Sequence, residues 1–242
     1  MRDLTPRQIQ ILKLVIEEYI ETAEAVGSET LERKYHLGVS PATLRNEMAE
    51  LVKKGYLKQP HISAGRMPTP VALKFYVREL MKPKQLSVAD EVAVKEKIWD
   101  HRDQIERLIK ESTKVLAEKT RMLALATYGE DEVFYAGTAY ILDSPEFFDI
   151  DLTKTVLAML DETDYWFSLF EKAIETETPI HILIGSELGS SFLEPCGFIY
   201  TNYETGGRRG TIGVIGPSRI DFSYVVPIVE YLGILIGDVG RG

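Results

Sequence analysis

Residues 39–56 are VSPATLRNEMAELVKKGY, and this stretch decides the fold because it marks both ends of a short helix. Ser40 suits the N-cap, and Pro41 suits the first helical position, where a missing N–H costs nothing. Gly55 is typical of the position just past a helix C-terminus. Three apolar residues at helical spacing form one stripe for burial: Leu44, Met48 and Leu51.

The opposite face of this helix is small, polar and basic. At about 100° per residue, it presents Ala42, Asn46, Ala49 and Lys53, with Thr43, Arg45 and Glu50 beside them. Such a face can lie close to base edges and phosphates in a major groove. The alternative is a solvated amphipathic helix that binds nothing, because charged outer faces are ordinary.

The residues before this helix predict two more helices. Thr5, Pro6 and Gln8 form a capping box that opens the first, whose predicted buried stripe is Ile9, Leu12, Ile16, Tyr19 and Ile20. Ser28 is expected to cap a second helix that runs to Tyr35, and a turn at Gly38 follows. This order of elements, helix, helix, glycine turn and helix, is that of a helix-turn-helix module.

The residues after Gly55 predict a hairpin. Residues 56–60 and 67–69 are extended runs that flank a turn at residues 63–65. A hairpin directly after the third helix is the wing of a winged helix. Its polar side chains suit phosphate or minor-groove contact: Lys58, His61, Ser63 and Arg66. An ordinary surface histidine is the alternative for His61. A further helix is predicted from Thr69-Pro70 to about residue 81.

Charge is unevenly distributed along the 242 residues. The net charge is −9, but residues 1–82 hold 13 Lys+Arg and 10 Asp+Glu, a net of +3, which leaves −12 for the remainder. This split favours a basic N-terminal module that contacts phosphates and an acidic body that does not. The candidate DNA-binding residues are Ser40, Ala42, Thr43, Arg45, Asn46, Lys53, Lys58, His61, Ser63 and Arg66.

Composition places the chain in a reducing compartment. Cys196 is the one cysteine, so no disulfide can form within the chain. No apolar run approaches the roughly 20 residues that span a bilayer, and the N-terminus lacks the apolar core of a signal peptide. We therefore expect a cytoplasmic protein without a membrane span.

The N-terminal motifs match a known family. VSPATLRNEM at 39–48, SAGRMPT at 63–69 and FYV at 75–77 resemble the N-terminal domain of the HrcA family of heat-inducible transcription repressors. The resemblance covers most of residues 4–81.

The remainder of the chain predicts a long helix and then an α+β region. Residues 91–126 contain no Gly or Pro, and an apolar row of Ile98, Ile105, Ile109 and Leu116 needs a partner face. That face is either a second subunit or the chain's own C-terminal domain. Beyond it we predict strands at 133–142, 180–185, 198–203 and 211–216, and helices from 151 to 176 and up to Leu235. This pattern indicates a mixed sheet with helices.

The C-terminal motifs resemble the same family. They are SPEF at 144–147, IGSE at 184–187 and, most specifically, GTIGVIGPSRIDF at 210–222. The resemblance implies a GAF-like sensor domain. The family's usual chains are longer and contain an inserted helical subdomain implicated in dimerisation, for which residues 142–179 leave little room. The predicted fold is thus multidomain α+β: a winged helix-turn-helix at 1–82, a linker and long helix at 83–127, and a GAF-like sensing and assembly domain at 128–242.

Catalytic chemistry is not indicated, and no cofactor or metal is expected. The four histidines, His36, His61, His101 and His181, are scattered, and one cysteine cannot build a zinc cluster. The glycines of 210–216 lack the G-x-G-x-x-G spacing and are better read as strand glycines for close packing. Glu187 and Glu194 are interpreted as surface carboxylates. Cys196 is interpreted as an inert half-buried thiol, with a redox sensor as the alternative.

The primary hypothesis is a homodimeric repressor that binds double-stranded DNA. The family resemblance implies an inverted-repeat operator of the CIRCE type ahead of chaperone genes. It also implies that the chaperonin GroEL keeps the repressor active, so that heat lifts repression. The alternatives are a winged-helix regulator that responds to a small ligand, and an enzyme with a DNA-binding appendage.

Overall fold

The structure is a computed structural model that describes residues 4–61, 63–129, 131–171 and 178–239. The chain divides into two compact units, Met1–Lys82 and Pro83–Gly242. We call them unit 1 and unit 2 and describe each by itself.

Unit 1 begins with three helices: α1 (Pro6–Thr22), α2 (Ser28–Tyr35) and α3 (Pro41–Lys53). The capping box is confirmed, because the Gln8 N–H donates to Thr5 Oγ1 and the Thr5 N–H donates to Gln8 Oε1, both at 3.2 Å. The predicted stripe of α1 needs correction: Ile11 and Val15 are also buried, whereas Ile9 and Ile20 are only half-buried.

The start of α2 also differs from the prediction. Gly27 is the N-cap, and Ser28 is the first helical residue, with its side chain buried instead of capping. The boundaries of α3 are confirmed. The Thr43 N–H donates to Ser40 Oγ, and Gly55 adopts a left-handed φ of +78° just past the helix end. The apolar stripe of α3 is buried as predicted.

A two-stranded antiparallel hairpin follows α3. Strands β1 (Leu57–Lys58) and β2 (Met67–Pro68) pair residue 57 with 68 and 58 with 67. Thr69 closes the hairpin, because its N–H donates to the Tyr56 carbonyl and its hydroxyl to the Gly55 carbonyl. Thr69 then caps α4 (Pro70–Phe75), which continues as a π-helical turn to Leu80.

Unit 2 opens with a helix pair, α5 (Val88–Trp99) and α6 (Ile105–Thr120), so the single long helix predicted for 91–126 is wrong. The break falls at residues 100–104, where no apolar residue continues the stripe. The last part of the prediction is a strand, β3 (Leu123–Tyr128), whose residues are all buried. A strand buried on both faces reads as a continuous run of apolar or small residues. Periodicity alone does not distinguish such a run from a buried helix, so this strand was predicted as part of the helix.

The sheet of unit 2 has five strands in the order β4-β3-β7-β6-β5. The remaining strands are β4 (Glu132–Ala136), β5 (Ile180–Ile184), β6 (Cys196–Thr205) and β7 (Arg208–Pro217). Every pairing within the described ranges is antiparallel, so the mixed sheet predicted from sequence is wrong. The tight turn at Gly206-Gly207 joins β6 to β7 and requires these two strands to be antiparallel.

Two predicted elements are shorter than expected. The strand predicted at 133–142 ends at Ala136, because Gly137 turns the chain with a φ of +77° into a 3₁₀ helix over Thr138–Asp143. The helix predicted at 151–176 is α7 (Ile150–Met159) and α8 (Thr163–Glu171), interrupted at the acidic residues 161–162. Residues 172–176 of that prediction lie outside the described residues.

The main core of unit 2 lies on one face of the sheet. Trp166 and Phe170 of α8 pack on Phe198 and Tyr200 of β6 and form an aromatic cluster. Trp166 is fully buried, and its indole N–H donates to the Met159 carbonyl at 2.7 Å.

The opposite face of the sheet is covered by α6 and α9 (Phe222–Val239). Ile98, Ile109 and Leu116 are fully buried within unit 2, and Ile105 is half-buried. The apolar row therefore packs on its own domain, so it cannot serve as the seam between two subunits.

Helix α9 corrects the expectation that no apolar run could span a bilayer. By length and composition alone it could cross a membrane, with a mean hydropathy of 1.5, but 61% of it is buried inside unit 2. Such burial is typical of the core helix of a soluble domain.

The glycines of β7 are confirmed as close-packing residues. A Cβ at Gly213 would overlap Tyr200, and one at Gly210 would lie only 2.5 Å from the Tyr203 ring. Cys196 needs a correction, since it is fully buried and not half-buried. Burial raises the pKa of its thiol to about 12, which leaves it protonated and unreactive at neutral pH.

Candidate nucleic-acid interface

The outward face of α3 places the predicted residues in three kinds of environment. Ala42, Arg45 and Asn46 are exposed, and no side-chain hydrogen bond or ion pair to Arg45 or Asn46 occurs within the described part of the chain. Thr43 and Ala49 are half-buried. This arrangement leaves one guanidinium and one amide ready to donate to an external acceptor.

The hydroxyls at the start of α3 already have partners within the chain. Ser40 Oγ lies 3.0 Å from Thr43 Oγ1 and also accepts the Thr43 N–H. Ser40 therefore stabilises the start of the helix as its N-cap. Its side chain is also exposed, so it could contact a phosphate from this capping position.

Lys53, at the other end of α3, is exposed but paired. Its Nζ lies 2.6 Å from Glu50 Oε1, and the hydrogen bond from Lys53 holds the pKa of the Glu50 carboxyl below its usual range. To bind a phosphate, Lys53 must give up its ion pair with Glu50. The loss of that pair reduces the net free energy that the phosphate contact contributes.

Helix α3 is tied to α1 through a buried glutamine. Gln8 is 6% exposed, and its Nε2 donates to Glu47 Oε2 at 3.0 Å while its Oε1 accepts from Lys54 Nζ at 2.9 Å. One amide thus links the capping box of α1 to the middle of α3 and to the residue that follows its last turn. Because the amide is buried and satisfied, it fixes the orientation of α3 with few alternatives.

Helix α2 is tied to α1 through a buried carboxylate. Glu18 is 6% exposed and accepts from Lys34 Nζ at 2.7 Å and from the Tyr35 hydroxyl at 2.8 Å. Burial raises the pKa of Glu18, but the hydrogen bonds from Lys34 and Tyr35 outweigh it, so the net shift is downward. The pKa of Lys34 is raised by the same hydrogen bond. Glu18 therefore carries a negative charge at neutral pH and holds the two helices together.

The hairpin separates its four candidate residues. Lys58, His61 and Ser63 are exposed, whereas Arg66 is half-buried and turned back on its own loop. Arg66 Nη1 donates to the Ala64 and Gly65 carbonyls at 3.2 and 3.3 Å, and its Nε is buried without a partner in the described residues.

The Arg66 main chain also fastens the hairpin to the residues before α2. Its N–H and carbonyl pair with Val26 at 2.8 and 2.9 Å. A Cβ at Gly65 would lie 2.5 Å from the Val26 carbonyl, so only glycine allows this approach. The sequence predicts that Arg66 contacts phosphate. In the structure, its main chain also fixes the hairpin to Val26.

A cleft of about 460 Å³ joins α3 to the hairpin. Arg45 and Met48 of α3 line one side, and Ser63 and Arg66 line the other. Of the candidate residues, the cleft therefore brings Arg45 of the helix together with Ser63 and Arg66 of the hairpin, whereas Asn46 and Lys58 do not line it.

The residues that hold this surface in place could not be identified from the sequence. The sequence places Gln8 only in the capping box and gives no role to Glu18. Both are polar residues at buried positions of α1. Helical periodicity of apolar residues predicts which positions are buried, but it does not predict polar residues there.

The polar side chains of unit 2 that the sequence singles out have structural surroundings. His181 is buried against Tyr200, and burial lowers the pKa of its imidazole. Glu187 Oε2 accepts the Ile184 N–H, which gives this carboxylate a local structural role. In the described ranges, no three His, Cys, Asp or Glu side chains are placed to hold a metal ion.

Most of the chain matches one known protein family. A family model described as the HrcA protein C-terminal domain matches residues 71–226. The chain belongs to the HrcA family. A relative named heat-inducible transcription repressor HrcA, from Desulforudis audaxviator, is 27% identical over 326 aligned positions that cover 93% of this chain and 95% of the relative. The HrcA from Carboxydothermus hydrogenoformans is 26% identical over 334 positions, which cover 96% and 97%.

The HrcA relatives contain segments that this chain lacks. An alignment of 326 positions against a chain of 242 residues leaves at least 84 positions without a counterpart here. A crystal structure described as that of a hypothetical protein shares the fold, with a TM-score of 0.76, 17% identity and 98% coverage of both chains.

Proposed function

We propose that this chain is a transcription repressor of stress genes that binds double-stranded DNA through unit 1. In this proposal unit 1 is a winged helix-turn-helix, α3 is the recognition helix and the β1–β2 hairpin is the wing. The relatives named heat-inducible transcription repressor support the biological role.

One observation carries the proposal. Arg45 and Asn46 project from α3 with their donors unused, whereas the other polar side chains of α1 and α3 described above pair with one another. An arginine and an asparagine are the side chains that read guanine and adenine edges in the major groove. Their placement on a helix fixed by Gln8 suits base readout, which needs a rigid support.

The partners follow from the family resemblance. We propose a homodimer that reads an inverted repeat of the CIRCE type, because a two-fold operator calls for a two-fold protein. The chaperonin GroEL would keep the repressor active, and heat would release the operator by occupying the chaperonin. Unit 2 would be a GAF-like sensing and assembly domain that lacks most of the family's inserted subdomain, and the 84 or more unmatched positions support that absence.

The test is a binding titration by fluorescence anisotropy at fixed salt. The full chain should bind an inverted-repeat duplex from its own upstream region at least about 1000-fold more tightly than a scrambled duplex of equal length. Equal affinity for both would contradict a sequence-specific repressor. Adding GroEL with ATP should raise the active fraction in the same titration, and an unchanged fraction would remove the chaperonin from the proposal.

A second candidate function is regulation by a small ligand. A cavity of about 860 Å³ in unit 2 is lined by Phe167, Phe170 and Ile234, together with the polar residues Asn202 and Arg209. Apolar walls with a few polar groups are typical of small-molecule sites. A thermal-shift screen with metabolites tests this function: a ligand that raises Tm and alters operator affinity would favour it over regulation by a chaperonin.

A further inference from the structure

The corner of unit 2 around α7 exposes an unusual number of large apolar side chains. The most exposed are Ile150 at 79%, Phe148 at 70% and Phe192 at 68%, followed by Leu142 and Leu157. They lie on elements that pack on one another. The 3₁₀ turn that carries Phe148 contacts the turn of Leu142 and also α7, and α7 contacts the turn that carries Phe192. We call these five residues the α7 patch.

The exposed face of α7 has the spacing of a packing surface. Ile150, Lys154 and Leu157 recur at i, i+4 and i+7, which places them on one side of the helix, while Leu152 and Val156 are buried on the other. The side that packs on unit 2 is therefore already satisfied, and the outer side carries the exposed apolar residues Ile150 and Leu157 with Lys154 between them.

We propose that the α7 patch is the surface through which two copies of this chain associate. This inference rests on the proposed function in one respect only, which is that a two-fold operator calls for a dimer.

Area supports a second copy as the occupant. Aromatic side chains bury about 150–250 Å² each, so at the observed exposures Phe148 and Phe192 alone offer on the order of 200–350 Å², to which the three aliphatic residues add. A stable interface buries about 800 Å² per partner, with an apolar centre inside a polar rim. The patch thus accounts for the centre of one interface of ordinary size.

Charge supports the same occupant. Exposed groups of both signs accompany the apolar residues of α7: Lys154 lies between Ile150 and Leu157, and Asp151 lies beside Ile150. A two-fold axis brings a surface against itself, so a rim with one sign of charge would repel. A rim of mixed sign can place each charge near its opposite.

The experiment is sedimentation velocity of the full chain from 1 to 50 µM, with two matched variants. Ile150→Asp changes the first residue of α7, and Val88→Asp changes the first residue of α5, where the native side chain is similarly exposed at 76%. Aspartate is favourable in the first turn of a helix, so both variants should fold. Circular dichroism checks this.

We expect the wild type and Val88→Asp to be dimers and Ile150→Asp to raise the dimer Kd at least tenfold, with a further loss in Ile150→Asp/Phe148→Ser. A folded Ile150→Asp that dimerises like the wild type would overturn the inference, as would a wild type that stays monomeric at 50 µM. DNA binding is titrated in parallel. A dimer that shows no operator preference would contradict the proposed function and leave the interface standing.

Discussion

Units 1 and 2 use different means to hold their shape. In unit 1, single buried polar groups link the helices: Gln8 joins α1 to α3, and Glu18 joins α1 to α2. In unit 2, an aromatic cluster around Trp166 packs on a sheet whose glycines allow close approach. Directional bonds fix the orientation of the helices of unit 1, including the exposed face of α3, whereas apolar packing stabilises unit 2. The two units should therefore respond differently to substitution.

The largest effect is expected in the core of unit 2. Trp166→Ala should lower the free energy of unfolding of unit 2 by about 3–5 kcal/mol, because it creates a cavity and leaves the Met159 carbonyl without its donor. The measurement is denaturant unfolding followed by far-UV circular dichroism.

The chain's other tryptophan is the matched control. Trp99 is 43% exposed, and Trp99→Ala should cost under about 1 kcal/mol. Equal losses in the two variants would show that unit 2 does not depend on the aromatic cluster.

A smaller effect is expected at the exposed face of α3 in unit 1. Asn46→Ala should weaken specific binding by about 1–3 kcal/mol, or roughly 5- to 150-fold, because an amide that pairs with a base edge is removed. Arg45→Ala should weaken specific binding by a similar amount. Because Arg45 can also contact phosphate, this variant should weaken binding to scrambled DNA as well. Anisotropy titrations with operator and scrambled duplexes measure both.

Asn202→Ala removes the only other asparagine, which lies in unit 2 and accepts from Thr211, and should leave DNA binding unchanged. If Asn46→Ala keeps the wild-type ratio between operator and scrambled DNA, then α3 does not read bases.

A third effect concerns the polar link between α1 and α2. Glu18→Gln should lower the opening free energy of these helices by about 1–2 kcal/mol, because the charge-assisted bonds from Lys34 and Tyr35 weaken. Glu21→Gln is the control. Glu21 also binds Lys34, but its side chain is 68% exposed, so the loss should stay under about 0.5 kcal/mol.

The same link predicts a pH dependence. The folded-state pKa of Glu18 lies below its ordinary value of 4.5, so its contribution is present above about pH 4.5 and is lost as the pH falls through the lowered pKa. Hydrogen exchange of α1 and α2 between pH 6 and 3 should show this loss in the wild type and a flatter profile in Glu18→Gln. Identical profiles would mean that Glu18 does not stabilise unit 1.

The elements of unit 1 could be predicted because their ends carry local signals. Thr5, Ser40 and Thr69 each cap a helix before a proline, and Gly55 ends α3, so the boundaries follow from neighbouring residues alone. The candidate reading residues follow from helical periodicity in the same way.

Unit 2 was predicted less well because its boundaries depend on contacts distant in sequence. The break after Trp99 and the strand β3 lack glycine or proline signals. Helix α6 packs on β3, and Leu123 and Leu125 of β3 belong to the main core of unit 2, so the strand is buried on both faces. The buried links of unit 1 were missed for a related reason. Gln8 and Lys54 are 46 residues apart, and Glu18 and Lys34 are 16 apart, so no local pattern joins them.

The smallest effect distinguishes two cations of the hairpin. The sequence assigns Lys58 and Arg66 the same role, as phosphate contacts. The structure exposes Lys58 but turns Arg66 back toward the Ala64 and Gly65 carbonyls. Only a cation that releases counterions from DNA contributes to the salt dependence of binding, by about 0.9 per phosphate contact in the slope of log K against log salt.

Lys58→Ala should therefore weaken binding to all duplexes by under about 1 kcal/mol and reduce the slope by about one. Arg66→Ala should leave the slope within about 0.3 of the wild type and should instead speed hydrogen exchange of the Val26 and Arg66 amides, which bond to each other's carbonyls. Lys110→Ala, an exposed lysine in unit 2, serves as the control for charge alone. If Arg66→Ala lowers the slope as much as Lys58→Ala does, then the guanidinium leaves its loop on binding and contacts phosphate directly. If neither changes the slope, the hairpin lies outside the DNA interface and α3 must supply the phosphate contacts alone.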